Sequence, residues 1–381
     1  MFYNSLSNKI LSSPIYTSND SFSITSISNL VNAKTEVYYD KEIAHLYTKE
    51  TLNLEEYYDN EYKVDIESED KDSLYGIMNG KKIYRTQYQL DLFTKKVNIK
   101  NDMKILDYGS AKGLFLKKLI EKISIEPYLF DITTKYKEFW LKTFNQENCS
   151  FYNLKNEWKN NLDIVTSFYV FEHVKDPLIE LKNIYQVLKE DGIVYIQVPN
   201  VYNHIADFIC IDHLHHYSKI SLVHLLNLSG FEVISIDDTS YEGALIIVGQ
   251  KKKNIKTYNF LNEDYAFYET KAIEMSKYWQ TLSSKINTFY KQNSTKKAAL
   301  YGAGFYSTYI LSHLPKDNNI TYAIDQNPHL HSQKFNNLDV IPIDKVSEDI
   351  EVLYVGLNPK MAKKIIKDIK QFNNMTIFYL D

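Results

Sequence analysis

The chain has 381 residues, 44% hydrophobic and 24% charged, with 44 Lys and Arg against 48 Asp and Glu for a net charge of −4. That length exceeds one ordinary core and predicts two or three domains of a globular rather than disordered protein. The slight acidity excludes a dedicated nucleic-acid binder, and no apolar run approaches the roughly 20 residues that span a bilayer. The opening stretch MFYNSLSNKILSSPIY has no signal-peptide core, so a cytoplasmic protein without membrane partners is expected. Two cysteines, Cys149 and Cys210, supply neither a disulfide framework nor a thiolate zinc site, and no metal is expected.

Residues 1–83 read as a small, irregular N-terminal cap lobe, with short β-like runs (FSITSI, EVYY, IAHLYT) before the acidic, tyrosine-rich LNLEEYYDNEYKVDIESEDKD. A helix is predicted from about Lys82 to Lys96. It carries Arg85, the only arginine in the chain and a candidate clamp for a substrate carboxylate or phosphate, because its planar fork cannot be imitated by lysine.

From about Lys104 buried strands alternate with helices: KILDYGS then GLFLKKLIEKI, EPYLFDI then TKYKEFWLKTF, SFYNL, and LDIVTSFYVFEHV running into a loop. A helix over DPLIELKNIYQVLKEDG, closed by glycine, leads to the strand IVYIQVPN. Next come the helix SLVHLLNLSGF and two neighbouring strands, FEVISIDD and ALIIVGQ. Such alternation implies crossover units and a mostly parallel sheet over residues 84–251. A helical linker spans 252–296, its long helix predicted at about Asn262 to Gln292, and a second, smaller α/β unit occupies 297–381.

Asp107-Tyr-Gly109-Ser-Ala111-Lys-Gly113 follows an apolar strand and opens a helix. Small residues there let the backbone turn sharply and let a ligand approach the main chain. A pyrophosphate on the helix N-terminus needs no acid close by. Asp107 just before the turn suits a cationic ligand better, such as the methionyl part of S-adenosylmethionine. Asp131 ends the next strand, where an acid can hold ribose hydroxyls.

Residues 84–251 resemble the class I S-adenosylmethionine-dependent methyltransferase family through ILDYGSAKG, LFDIT, DIVTSFYVFEHVKDP, VYIQVPN and the helix before GFEV. The resemblance implies a doubly wound α/β sheet with S-adenosylmethionine as cofactor. Asp107, Gly109, Ala111 and Gly113 would then line its methionine and ribose side, Asp131 the ribose, and Asn153, more loosely, the adenine. By the same resemblance the segment from Phe168 through Glu172 to His173 leads from the cofactor into the substrate cleft. Ala111 departs from the family, where a glycine is usual, but keeps the site small.

Three histidines cluster in Asp212-His213-Leu-His215-His216-Tyr217, on a loop beside the cofactor end of the sheet. Histidine titrates near neutrality and can take a proton from a hydroxyl or a carbon acid, with a neighbouring acid orienting it. Structural packing of His216 and Tyr217, or a metal site, fits the same residues. The layout over roughly residues 50–381 also resembles the sugar C-methyltransferases of deoxysugar nucleotides, through EEYYDNEY, Asp212-His213 where that family has Glu-His, EGALIIVG, the YGAG turn and IDQNPHLHSQKF. This implies a C-terminal Rossmann-like domain, His213 as base with Asp212 its partner, and Tyr57, Tyr58 or Tyr62 closing over the site. His216 stands where that family more often has tyrosine. The lobe lacks the family's zinc-binding cysteines.

The expected function is therefore methylation, on carbon or oxygen, of a small acceptor such as a nucleotide sugar or glycan precursor, with Tyr217 beside the acceptor and a homodimer compatible with the fold. The second turn, Gly302-Ala-Gly304 with Asp325 after the next strand, keeps two alternatives open: a sugar-nucleotide oxidoreductase using NAD, or a non-catalytic nucleotide-binding protein.

Overall fold

Short N-terminal strands build one layer. In the computed structural model, which describes every residue except Met1, Ser5, Asp20, 54–56, 58–71, Ser73, Asn79, Gly80, Glu242 and Ser332, β1 (Tyr16–Thr17), β2 (Glu36–Asp40) and β3 (His45–Thr48) pair antiparallel. The helix α1 runs Arg85–Lys96. It starts three residues later than Lys82 because Lys81–Tyr84 is extended and pairs with Leu74–Met78.

The central sheet uses β4 (Lys104–Tyr108), β5 (Glu126–Asp131), β6 (Cys149–Phe151), β7 (Leu162–Phe168) and β8 (Leu188–Pro199). After β9 (His215–His216) come β10 (Phe231–Asp237) and β11 (Ala244–Lys251). The spatial order is β6-β5-β4-β7-β8-β11-β10, parallel except that β11 is antiparallel to both neighbours. Its middle strands are covered on both faces, which is why they read as continuous apolar runs: Ile105, Leu106, Ile164, Val165, Val194 and Ile196 are all buried. Chain order reverses between β4 and β7, and a crevice beyond the carboxyl ends of the strands at such a reversal is where open α/β sheets take ligands.

Helices α2 (Leu114–Ile120), α3 (Lys137–Leu141), α4 (Pro177–Val187) and α5 (Lys219–Leu228) flank the sheet. α4 stops at Val187 rather than at the glycine five residues on, since Leu188 turns to φ −72°, ψ 140° and opens β8. At its other end Pro177 fills the first turn and the Asp176 side chain caps Ile179 N–H.

The long helix α6 (Asn262–Asn293) is a strut touching three parts of the molecule. Ser276 Oγ donates to Ile15 O at 2.5 Å, Trp279 Nε1 to Ile205 O at 3.0 Å, and Tyr278 OH to Leu380 O at 2.5 Å. Beyond it, β12 (Ala298–Tyr301), β13 (Ile320–Ile324), β14 (Lys334–Phe335), β15 (Leu338–Ile341), β16 (Val352–Val355) and β17 (Thr376–Phe378) form a second sheet. Its order is β14-β15-β13-β12-β16-β17, parallel apart from the β14–β15 pair.

The histidine segment, expected as a loop, is half strand. β9 adds itself antiparallel to β3 as the fourth strand of the N-terminal sheet, and Cys210 bridges to Ile24. No described helix is long and apolar enough to cross a membrane.

Candidate active site

The turn after β4 is built on three left-handed residues: Gly109 at φ 82°, Ala111 at 43° and Gly113 at 73°. At Gly109 the need is also steric, since a Cβ would lie 2.3 Å from Val170 Cγ2. That contact shows how closely the turn abuts the segment after β7. Ala111 adopts the strained conformation with a side chain, and two bonds hold it: its N–H donates to Asp131 Oδ2 at 3.0 Å and its carbonyl accepts from Trp140 Nε1 at 2.6 Å.

Two carboxylates stand at adjoining strand ends. Burial pushes Asp107 up to about 7 although Thr166 Oγ1 donates to it at 2.9 Å. Burial also pushes Asp131 up to about 6, against the backbone N–H groups of Ala111 and Thr133. Buried acids are costly when ionised; Lys135 offsets part of that cost at Asp131, and a cationic ligand would relieve more of it. Around them lie two exposed side chains the sequence did not single out, Ile132 at 56% and Tyr152 at 61% exposure. A large apolar group left open beside a polar cradle was the available signal. Asn153 is exposed next to Tyr152, its carbonyl accepting from Ser150 Oγ at 2.6 Å. Phe168, half-buried at the end of β7, packs on Phe115 and Tyr195 with ring centroids at 4.6 and 5.5 Å.

The segment after β7 and the histidine segment are stitched together. His215 N–H donates to Glu172 O at 3.0 Å, and His173 Nδ1 meets Asp212 O at 2.8 Å. Glu172 is 1% exposed, and its Oε2 has no hydrogen-bond partner among the described residues; burial raises its carboxyl to about 8. His173 and His213 stack edge to face at 4.6 Å; burial drives His173 down to about 4.

The sequence reading paired His213 with Asp212, and here the structure corrects it. Asp212 turns away, its two oxygens accepting from Ser26 N at 2.7 Å and Ser26 Oγ at 2.6 Å. The carboxylate on His213 Nδ1 is Asp207, from the one-turn helix Ile205–Ile209. Burial works to lower His213, but Asp207 outweighs it and the imidazole rises to about 9. Asp207 itself, despite burial, is held well below the usual carboxylate range by His213 and His216. Its one trace in the sequence is an acid inside the apolar run IADFICI, a buried charge that must have a partner without saying which.

His216, read as a catalytic candidate, has both ring nitrogens engaged: Nδ1 with Asp207 Oδ2 at 2.7 Å and Nε2 with Thr48 Oγ1 at 2.9 Å. Tyr217, read as an acceptor contact, is 1% exposed and donates to Phe171 O at 3.1 Å. Both pack the loop. His215 pairs with His45 at 3.1 Å, and burial lowers both.

Arg85 is exposed and lies 4.2 Å over the ring of Tyr169, the residue following Phe168. Gln197 Nε2 donates to Tyr169 OH at 3.0 Å, and Arg85 lowers the proton affinity of Glu172 after larger influences from burial, His213 and Asp207. The guanidinium thus stands beside the segment that follows β7. Tyr57 is buried, its N–H donating to Asn53 O at 3.0 Å; Tyr58 and Tyr62 lie outside the described residues. The ligand atoms of Glu172, His173 and His213 come within 4.8 Å of one another, as do those of Asp207, Cys210 and His213. Both sets share His213, whose ring already has Asp207 as its counter-charge.

In the C-terminal sheet the turn repeats the first one's device. Ala303 N–H donates to Asp325 Oδ2 at 2.9 Å, as Ala111 does to Asp131. Gly302, at φ 94°, would put a Cβ 2.9 Å from Gly356 O.

Residues 83–236 match the family model described as a methyltransferase domain. No curated protein matches the chain in sequence. Among solved structures, a chain of the complex between the Haloferax volcanii Trm112 methyltransferase activator and the putative methyltransferase is 18% identical, covering 44% of this chain and 90% of that one at TM-score 0.37. An S-adenosylmethionine-dependent methyltransferase from Mesorhizobium loti is 12% identical, covering 43% and 97% at 0.37. Another from Aquifex aeolicus is 17% identical, covering 44% and 92% at 0.37.

Proposed function

We propose that this chain, an S-adenosylmethionine-dependent methyltransferase by its domain over residues 83–236, methylates a nucleotide-linked sugar or glycan precursor on carbon or oxygen. The residues present fit the cofactor. Two buried carboxylates, Asp107 and Asp131, flank a cradle whose small residues admit main-chain contact. Asp107 and the Gly109–Gly113 turn would take the methionyl side and Asp131 the ribose. Phe168, Ile132 and Asn153 would border the adenine. Bound there, the cofactor supplies an electrophilic methyl group on a sulfonium.

The observation that carries the acceptor reading is His213, buried in the cleft with Nδ1 tied to Asp207 and Glu172 beside it. A methyl acceptor of this class loses a proton as the new bond forms, and a positioned base is typically worth about 10²–10⁴-fold. Holding the acceptor in line contributes further, and Arg85, stacked on Tyr169, is available to grip an anionic part of it. We assign the proton-accepting role to His213 and a loop-building role to Asp212, while His216 sits behind the base on the second oxygen of Asp207. Tyr57, Tyr58 and Tyr62 remain candidates for closing over the acceptor. We also retain the division into a cap lobe (1–83), methyltransferase domain (84–251), linker (252–296) and C-terminal Rossmann-like domain (297–381).

The test is transfer of a labelled methyl group from S-adenosylmethionine to a panel of nucleotide sugars, read by mass spectrometry. Label in a nucleotide sugar that disappears in His213→Asn supports the reading; label confined to other metabolite classes overturns the acceptor assignment.

A further inference from the structure

His213 is one end of a longer hydrogen-bonded chain. Asp207, 4% exposed, gives one oxygen to His213 Nδ1 and the other to His216 Nδ1 at 2.7 Å. His216, 1% exposed, meets Thr48 Oγ1 through Nε2 at 2.9 Å. Thr48 belongs to β3 of the N-terminal sheet, and His216 belongs to β9, the strand that sheet borrows from the methyltransferase loop. The register is fixed by more than side chains: Thr48 N–H donates to Leu214 O at 3.0 Å.

We propose that Thr48, His216 and Asp207 are a positioning relay for His213, which makes the N-terminal sheet part of the active site rather than a cover over it. This rests on reading His213 as the proton acceptor. One proton arrangement satisfies every member. An ionised carboxylate only accepts, so Asp207 requires an N–H on Nδ1 of both rings. His216 then has a bare Nε2, into which the Thr48 hydroxyl donates. His213 in its neutral form likewise has a bare Nε2, the atom a base needs, with its tautomer set by the partner on the other nitrogen. The relay members act through His213: all three are buried, with their side-chain polar atoms turned to one another and to the His213 ring.

Among the described residues, the charged and titratable groups facing His213 are Asp207, Cys210, Asp212, Glu172, His173, His204 and His216. Within that field the relay makes opposite demands. The Asp207 charge raises the proton affinity of His213, while the His216 N–H, aimed at the same carboxylate, takes up part of that charge.

The experiment follows the His213 imidazole by NMR in the full chain with ¹³C-labelled histidine, without acceptor, the signal being assigned by its loss in His213→Asn. Asp207→Asn is expected to drop the His213 midpoint by about two pH units or more, because burial then acts unopposed. His216→Leu is expected to raise it by about half a unit, and His216→Asn, which keeps an N–H near the position of Nδ1, to bring it back. Thr48→Val, a milder change within a folded strand, is expected to move it upward by less. An unchanged midpoint in His216→Leu and Thr48→Val, or a shift that His216→Asn fails to rescue, overturns the relay. Because no acceptor is present, these shifts stand or fall apart from methylation: midpoints moving as stated in a protein that methylates no nucleotide sugar would sink the functional reading and leave the relay.

Discussion

At the scale of single residues, buried charges dominate the chemistry of the cradle and of the histidine segment. Asp131 binds Ala111 N–H through one oxygen and Thr133 N–H through the other, so it shapes the turn as well as standing where the ribose is proposed to bind. Asp131→Ala removes charge-assisted bonds worth roughly 1.5–3 kcal/mol and is expected to weaken S-adenosylmethionine binding at least about tenfold by calorimetry. Unchanged affinity would remove Asp131 from the cofactor site. Arg85→Lys keeps the charge but loses the planar fork. A rise in the acceptor Michaelis constant with unchanged cofactor affinity is expected, and wild-type constants for both would leave Arg85 a surface residue stacked on Tyr169. The glycine turn and the acid after β5 were legible because they are local in sequence. The partner of His213 was not: adjacency favoured Asp212, yet the loop turns Asp212 toward Ser26, 186 positions away in the chain, and brings Asp207 under the ring.

At the scale of elements, period and punctuation located most of the structure. The parallel strands read as apolar runs, Gly230 at φ 92° follows the end of α5, and the long helix at Asn262–Asn293 falls within a residue of its predicted end. What was missed depends on distant pairing. Two residues of β9 carry no strand signal of their own and become strand because β3 offers an open edge. The same holds for Lys81–Tyr84, extended through its hairpin partner rather than helical. The strut α6 presses Trp279, 1% exposed, on the one-turn helix that carries Asp207. Trp279→Ala is expected to cost about 3–5 kcal/mol in denaturant unfolding and to lower turnover more than cofactor affinity, since the contact supports the histidine loop and lies away from the glycine turn. Equal losses in both would mean that the whole sheet, not this loop, depends on the strut.

At the scale of the whole molecule the buried groups set a pH dependence. Asp107, Asp131 and Glu172 have folded values raised to about 7, 6 and 8, and His213 to about 9. A group raised on folding holds its proton more tightly in the native state, so its stabilisation is present below its unfolded value and is lost as pH rises through the folded one. His173 and His215, lowered to about 4 and 3, act oppositely: they favour folding once pH exceeds about 6.5, their unfolded value. The cofactor-free protein is therefore expected to lose thermal stability between about pH 6.5 and 9. S-adenosylmethionine, a cation that prefers ionised Asp107 and Asp131, should bind more tightly as pH climbs through that same acid range of 6 to 7. Melting scans with and without cofactor across pH check both; a cofactor-induced stabilisation that shrinks as pH rises from 6 to 7.5 would contradict the carboxylate cradle.

The most direct test of the central claim, that this fold methylates a sugar-type acceptor with His213 taking the proton, joins two readings on one pair of proteins. Wild type and His213→Asn are compared for methyl transfer to nucleotide sugars across pH and for S-adenosylmethionine affinity by calorimetry. The account predicts turnover that rises toward pH 9 in the wild type, following the raised imidazole, and falls at least about 100-fold in the variant with cofactor affinity little changed. Near-wild-type turnover in His213→Asn, with the same pH profile, would contradict it.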